Sequence, residues 1–167
     1  LLGTQTSNMN MDMGIYRPVV VGNSVWFDDN HNGLQDATEA GVPGVKATLF
    51  NAQTNQPVTA DAMGNPVVPL LTDASGSYRF EGLPPGSYYV AFDLATLPSG
   101  YTVTTPNVGA DDAIDSDVNP QTGKSDATPQ IAAGGSNVTI DMGIWAPVAV
   151  GDKVWYDVNG NGIQEQG

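Results

Sequence analysis

Cysteine is absent from the 167 residues, so neither a disulfide framework nor a thiolate zinc site can be built. Basic residues are scarce: Lys and Arg total 5 against 18 Asp and Glu, giving a net charge of −13. A chain this acidic has no long-range attraction for phosphate backbones or anionic lipid, which argues against nucleic acid and membrane surfaces as partners. Divalent cations suit it, because clustered carboxylates must be neutralised or held apart. Charged residues of both signs make up only 14% of the chain, against about a quarter in ordinary soluble domains. No apolar run approaches the roughly 20 residues of a membrane span. Leu1-Leu2-Gly3 carries no signal-peptide pattern, so export and anchoring signals are expected outside this segment.

What is present is 40% apolar residues, enough for a core, with abundant Gly, Pro, Thr, Asn and Ser. That balance favours short strands joined by turns, and no segment sustains a helical stripe. The reading is all-β, a sandwich. Expected strands are 19–27, 44–51, 67–72, 77–81, 87–93, 101–105 and 137–144, with a weaker one at 129–132. Side chains alternate along a strand, so Val45, Ala47 and Leu49 should face the core and Lys46 and Thr48 the solvent. By the same rule Tyr88, Val90 and Phe92 form a core set, and Val138, Ile140 and Met142 another. Tight turns are expected at Asp73–Gly76, Leu83–Gly86 and Pro98–Gly100. The polar stretch 106–135 reads as one long loop, of a size that is usually functional or ordered by a ligand.

Residues 12–36 reappear as residues 141–165 with 15 of 25 positions identical, Gly22 recurring as Gly151 at an offset of 129. A fixed period marks a tandem array. Residues 1–16 then correspond to the last strand of a preceding copy, 17–146 to a complete module, and 147–167 to the start of a following one. Neither flanking piece can fold alone, so each is expected to pack on neighbouring copies or to be exchanged as a donated strand. The joints read as stiff. Arg17-Pro18 and Ala146-Pro147 leave one or two residues as linker, and Pro fixes its own φ and restricts the residue before it.

Asp28-x-Asn30-x-Asn32-Gly33, then five residues and Glu39, fits the twelve-residue calcium loop. Oxygens of Asp28, Asn30 and Asn32 would converge on a hard cation, and Gly33 would make the sharp bend. The Leu34 carbonyl, Asp36 and a bidentate Glu39 would complete the shell. The flanks read as strands, so there is no helix pair to open, and the expected role is structural. A plain hairpin loop also uses Asn, Asp and Gly. The recurrence favours metal, since the following copy keeps Asp157, Asn159, Asn161 and Gly162 while Asp29 becomes Val158 and His31 becomes Gly160. That second loop reaches Glu165 and stops short of its twelfth position. Asp111, Asp112, Asp115 and Asp117 form another acidic group, either a second calcium site or a solvated acidic loop. Asp141, repeated as Asp12, either assists one of these sites or sits on the outer face, and the outer face is favoured.

The motif string Val21-Gly22 to Glu39, Gly44–Leu49 and Thr72–Phe80, with Leu83, Gly86, Tyr88 and Val90, resembles the B-type repeats of serine-aspartate repeat surface proteins. These are the SdrD B-like relatives of collagen-adhesin B domains. The resemblance spans 19–144 and implies a Greek-key, Ig/transthyretin-like sandwich, stiffened by Ca2+ and strung in tandem outside a bacterial cell. It also implies calcium ligation at Asp28, Asn30, Asn32, Asp36 and Glu39, with Asp111–Asp117 often implicated. Some collagen-adhesin B domains carry a Lys–Asn isopeptide bond promoted by a buried acid. Here Phe92 stands where that acid would be and Lys46 alternates outward, so no such bond is expected.

The leading functional reading is a rigid stalk or filament segment whose partners are neighbouring repeats. The alternative is an adhesin module gripping an extracellular protein or glycan through Trp26, Tyr101 or Tyr78. Catalysis is not expected, because the one histidine, His31, is replaced by Gly160 in the next copy, which rules out a repeated Ser-His-Asp triad. Asn137-Val138-Thr139 spells a glycosylation sequon and is assigned no role.

Overall fold

The computed structural model describes residues 14–151 and 154–164. Val-rich β1 (Val19–Phe27) is the axis of the first sheet. It pairs antiparallel with β5 (Ser77–Leu83) on one side. Its other side meets two parallel pieces, β8 (Ser136–Asn137) beside Val20–Val21 and β9 (Met142–Trp145) beside Val25–Phe27. Short β7 (Thr102–Val103) closes that sheet against β9. In the second sheet β2 (Lys46–Asn51) pairs with β6 (Tyr88–Phe92) along one edge. Its other edge meets β3 (Gln56–Pro57) and β4 (Leu70–Leu71). One 3₁₀ turn, Leu94–Thr96, is capped by Asp93.

The two sheets enclose one core. Val19, Val21 and Val25 of β1 meet Val45, Ala47 and Leu49, with Tyr78, Phe80, Tyr88, Val90 and Phe92 filling the middle. The alternation expected for Val45–Leu49 is present: these three are buried, while Lys46 is half exposed and pairs with Asp93 at 2.9 Å. Each fully buried side chain of this size contributes about 1.5–3 kcal/mol. Asp73–Gly76 is the expected tight turn, its ends joined by a Gly76 N–H to Asp73 carbonyl bond of 2.9 Å.

Two expectations are corrected. Val138 is 42% exposed rather than in the core, because the strand expected over 137–144 is interrupted between β8 and β9. The backbone leaves the ladder at 138–141 and carries Asp141 inward. The stretch 106–135 is also less of a loop than its composition suggests. Gly123, Ser125, Thr128 and Ile131 bond along the edge of β6 and the turn before it, partly through the Ser125 and Thr128 hydroxyls. Side-chain oxygens take ladder positions there, so the strand alternation is lost.

Parallel pairing of β1 and β9 has a directional consequence. The chain arrives near Arg17, whose carbonyl accepts from Gly134 N–H, and leaves beyond Ile144, which is paired with Phe27 at the far end of β1. Incoming and outgoing ends therefore lie at opposite poles. Outside the sandwich, Val148, Val150, Val154, Tyr156 and Val158 are almost fully exposed. Residues 1–13, which include Asp12 and most of the segment assigned to a preceding copy, lie outside the described residues, as does Glu165.

Gly143 fits β9 against the first sheet: a Cβ there would stand 2.6 Å from Thr104 Cγ2 and 2.8 Å from Trp26 Cζ2. Gly143→Ala is expected to cost about 1–3 kcal/mol by overpacking, read as a lowered urea midpoint at unchanged m-value.

Candidate metal centre

At the outgoing pole, β1 ends in Phe27 and runs directly into Asp28, whose N–H donates to the Ile144 carbonyl of β9 at 2.8 Å. Asp28 is 1% exposed. Its Oδ1 accepts from Asn32 N–H at 3.0 Å, and its Oδ2 accepts from Gly33 N–H at 2.9 Å and from the Thr104 hydroxyl at 2.6 Å. Asp28 is thus the anchor of the loop. Asn30 and Asn32 both donate their side-chain amides to Asp36 Oδ2, at 2.7 and 3.0 Å. Glu39 folds back, Oε1 accepting from Asp29 N–H and Oε2 from Asp36 N–H. Gly33, at φ 79°, takes the left-handed bend that favours glycine.

The second acidic segment lies directly against this loop. Leu34 bridges Asp115, Gln35 N–H donates to the Ile114 carbonyl at 2.6 Å, and Ser116 N–H donates to the Gly33 carbonyl at 3.2 Å. Asp112, Asp115 and Asp117 each offer a carboxylate oxygen, all within 4.8 Å of one another, and this group can hold a metal ion. Asp115 is 5% exposed and its Oδ1 is buried with no hydrogen-bond partner. An orphaned buried carboxylate oxygen is costly unless a cation or proton satisfies it, so the donor set fits a hard, oxygen-seeking ion. Beside it a cavity of about 120 Å³ is lined by Asn107, Asp112, Asp117, Asp126, Asn137 and Thr139.

Asp141 was expected on the outer face and is instead wholly buried. Asn23 Nδ2 donates to its Oδ2, and both Ser24 N–H and the Ser24 hydroxyl donate to its Oδ1. Its own N–H donates to Asp117 Oδ2 at 2.6 Å, and its carbonyl accepts from Asp117 N–H. Burial is the main cause that pushes Asp117 up to about 8, helped by Asp112, Asp141 and Asp115. Burial likewise pushes Asp141 up to about 7 against its own hydrogen bonds. Asp115 is raised by desolvation and then by Asp112 and Asp111. The recurrence of Asp141 as Asp12 was the one signal in the sequence that could have drawn it into the site.

The structure thus links Asp28, Asn30, Asn32, Asp36 and Glu39 in one loop, sets Leu34 beside Asp115, and gathers Asp112, Asp115 and Asp117. Asp111 is not in that group; it is exposed and accepts from Ala113 N–H. Asp157, Asn159 and Asn161 form a similar turn in exposed chain, with Asn161 N–H on Asp157 Oδ1 at 3.1 Å and Gly162 N–H on Asp157 Oδ2 at 2.8 Å. The aromatics weighed for the alternative adhesin reading are not free to grip a ligand: Trp26 and Tyr78 are buried, the Tyr78 hydroxyl donating to the Ile140 carbonyl, and Tyr101 is half-buried against Phe27. His31 stacks on Trp145 with ring centroids 3.6 Å apart, tying the loop to the last residue of β9.

Sandwich and acidic pole together define a β-sandwich with three carboxylates gathered at one end that could hold a metal ion. Residues 19–144 match the SdrD B-like domain, and the chain belongs to that family. It is 42% identical over 161 residues to serine-aspartate repeat-containing protein F of Staphylococcus epidermidis, covering 95% of this chain and 9% of the relative. It is 38% identical over 162 residues to serine-aspartate repeat-containing protein D of Staphylococcus aureus strain Newman, covering 95% of this chain and 11% of the relative. The chain therefore spans about a tenth of the length of these relatives. Among solved structures, the minor pilin of Streptococcus agalactiae shares the fold at a TM-score of 0.54 and 15% identity, over 84% of this chain and 50% of that one. Among the described residues no helix is long and apolar enough to cross a membrane.

The buried acids set a pH dependence. Asp117 and Asp141 titrate near 8 and 7 in the folded chain, against 3.8 for an ordinary Asp, so the folded state binds more protons across that window. Their contribution to stability in chelator is therefore fully present below about pH 4 and is lost as pH rises through about 7 to 8. Thermal melts in chelator across that range are the check, and Asp117→Asn is expected to flatten the slope.

Proposed function

We propose that this chain is a calcium-stiffened structural repeat of a bacterial cell-surface protein, serving as a rigid segment of a stalk or filament. The observation that carries the reading is the pairing of Gly33–Ser116 and Gln35–Ile114, which sets two acidic segments together around the orphaned Asp115 Oδ1. Asp28, Asn30, Asn32, the Leu34 carbonyl, Asp36 and Glu39 would hold one Ca2+, and Asp112, Asp115 and Asp117 another. Asp157, Asn159 and Asn161 would belong to the corresponding loop of a following repeat. Bound calcium supplies positive charge that offsets the mutual repulsion of these carboxylates and fixes their loops.

Residues 17–146 form the repeat in this reading, with 1–16 and 147–167 belonging to its neighbours. Opposed incoming and outgoing poles favour a head-to-tail rod, and Ala146-Pro147 leaves little slack between repeats. The His31–Trp145 stack supports the link between loop and joint, since the ring that ends β9 rests on the loop itself. The partners are neighbouring repeats, the location is extracellular, and the role is not catalytic. The names of the Staphylococcus relatives and the pilin fold support a surface structural role.

Calorimetric calcium titration tests the reading. Calcium at about 100 times its dissociation constant should stabilise the chain by about 2.7 kcal/mol per site, and Asp28→Ala and Asp115→Ala should each remove one contribution. Unchanged melting in chelator would defeat the proposal. His31→Gly should loosen the joint, raising amide exchange at Ile144–Ala146 by the about 0.5–1.5 kcal/mol that an aromatic pair contributes.

A further inference from the structure

Tyr16-Arg17-Pro18 and Trp145-Ala146-Pro147 occupy corresponding places in the repeat, so Tyr16 stands to a preceding copy as Trp145 stands to this module, and Arg17 as Ala146. Ala146 lines a cavity of about 100 Å³ together with Asp28, Asp29, His31, Tyr101 and Trp145. A side chain at this place therefore lies against the acidic loop of the copy that the chain is leaving. At the downstream joint it is the methyl of Ala146. At the upstream joint it is Arg17, one of 5 basic residues in a chain of net charge −13.

Arg17 is also fixed to the module that the chain enters. Its carbonyl accepts from Gly134 N–H at 2.9 Å. A Cβ on Gly134 would stand 3.2 Å from Arg17 Cδ and 3.3 Å from Arg17 Cβ, so the arginine stem lies along a stretch of backbone that has no side chain. The next residue of that turn, Gly135, accepts from Val20 N–H in β1. Among the described residues the Arg17 guanidinium has no ion-pair partner. We propose that Arg17 is an ionic clamp between repeats, its stem seated on Gly134 of the module it enters and its guanidinium paired with the acidic loop of the copy before it.

The partner surface is acidic in both loops that the sequence contains: the first position is Asp28 or Asp157, and the ninth is Asp36 or Glu165. In this module Asp29 is exposed on the same cavity and is not among the proposed calcium ligands, so it can pair while the loop holds a cation. An exposed ion pair by itself contributes little, largely because two long side chains must be ordered to make it. Here the arginine stem is already laid on Gly134, and aspartate is a short partner. The array then has two kinds of joint, one with a cation and one without, and stiffness is set joint by joint by a single residue. The inference rests on the tandem reading of the repeat.

Two tandem chains test it: residues 1–145 joined to 17–167, which puts Arg17 at the joint, and residues 1–146 joined to 18–167, which puts Ala146 there. They differ at that one position, and each repeat carries the complete two-sheet core. Cysteine is absent, so Ala74→Cys in each repeat, on an exposed turn, gives two unique sites for spin labels. The spread of inter-label distances should be at least about twice as wide with alanine as with arginine, since domains without a fastening interface move by default. At about 1 M salt, where the screening length falls to about 3 Å, the arginine tandem should widen and the alanine tandem should not. Asp29→Asn in the first repeat should likewise widen the arginine tandem alone. Equal spreads for the two tandems, or an arginine spread indifferent to both salt and Asp29→Asn, overturn the clamp. Equal spreads that are narrow in calcium and wide in chelator defeat the clamp and leave the calcium-stiffened rod standing. A difference between the tandems that is the same in calcium and in chelator upholds the clamp and defeats the calcium reading instead.

Discussion

Two backbone hydrogen bonds, Ser116 N–H to Gly33 and Gln35 N–H to Ile114, hold together segments whose carboxylates repel each other. Everything at the outgoing pole depends on how that repulsion is met. Asp28 meets it with donors, taking in Asn32, Gly33 and Thr104. Asp141 does the same with Asn23 and Ser24. Asp115 Oδ1 has no donor at all, and Asp117 is pushed well above the ordinary carboxylate range. A proton or a cation must make up the difference, since an unpaired buried charge is far costlier than a hydrogen-bonded one.

The sandwich below supplies the rigidity that makes this meaningful. Strand β1 is bonded on both sides along its length, and the residue after it is Asp28, so the anchor of the loop is an extension of the strand at the axis of the first sheet. Strand β9 ends beside it, and Trp145 stacks on His31. Loop and the end of β9 are therefore in direct contact, through the ring stack and the Asp28–Ile144 bond. Cysteine is absent, so no disulfide contributes to this ordering.

Much of this was legible in the linear chain. Short stretches rich in Val, Thr, Tyr and Phe located β1, β2, β5 and β6, and alternation placed Val45, Ala47 and Leu49 in the core, because a period of two has one structural meaning. The repeat drew attention to the loop, and the family resemblance matched over the residues expected. Asp28 stood out by spacing alone. Val138 and Asp141 were misplaced for one reason: alternation assumes an unbroken strand, and the break at 138–141 reverses which residues face inward. Trp26 and Tyr78 could have been surface aromatics on pattern alone; burial depends on the opposing sheet.

The sequence by itself determined the local chemistry: which residues form strands, which glycine permits the bend at 33, and which oxygens are close along the chain. Tertiary structure decided what residues far apart do together. Leu34 and Asp115, Asn23 and Asp141, and His31 and Trp145 meet only because β1 and β9 run side by side. Periodicity encodes the direction of a side chain relative to its own backbone, whereas a site of converging carboxylates is fixed by the register between strands, which no single segment contains.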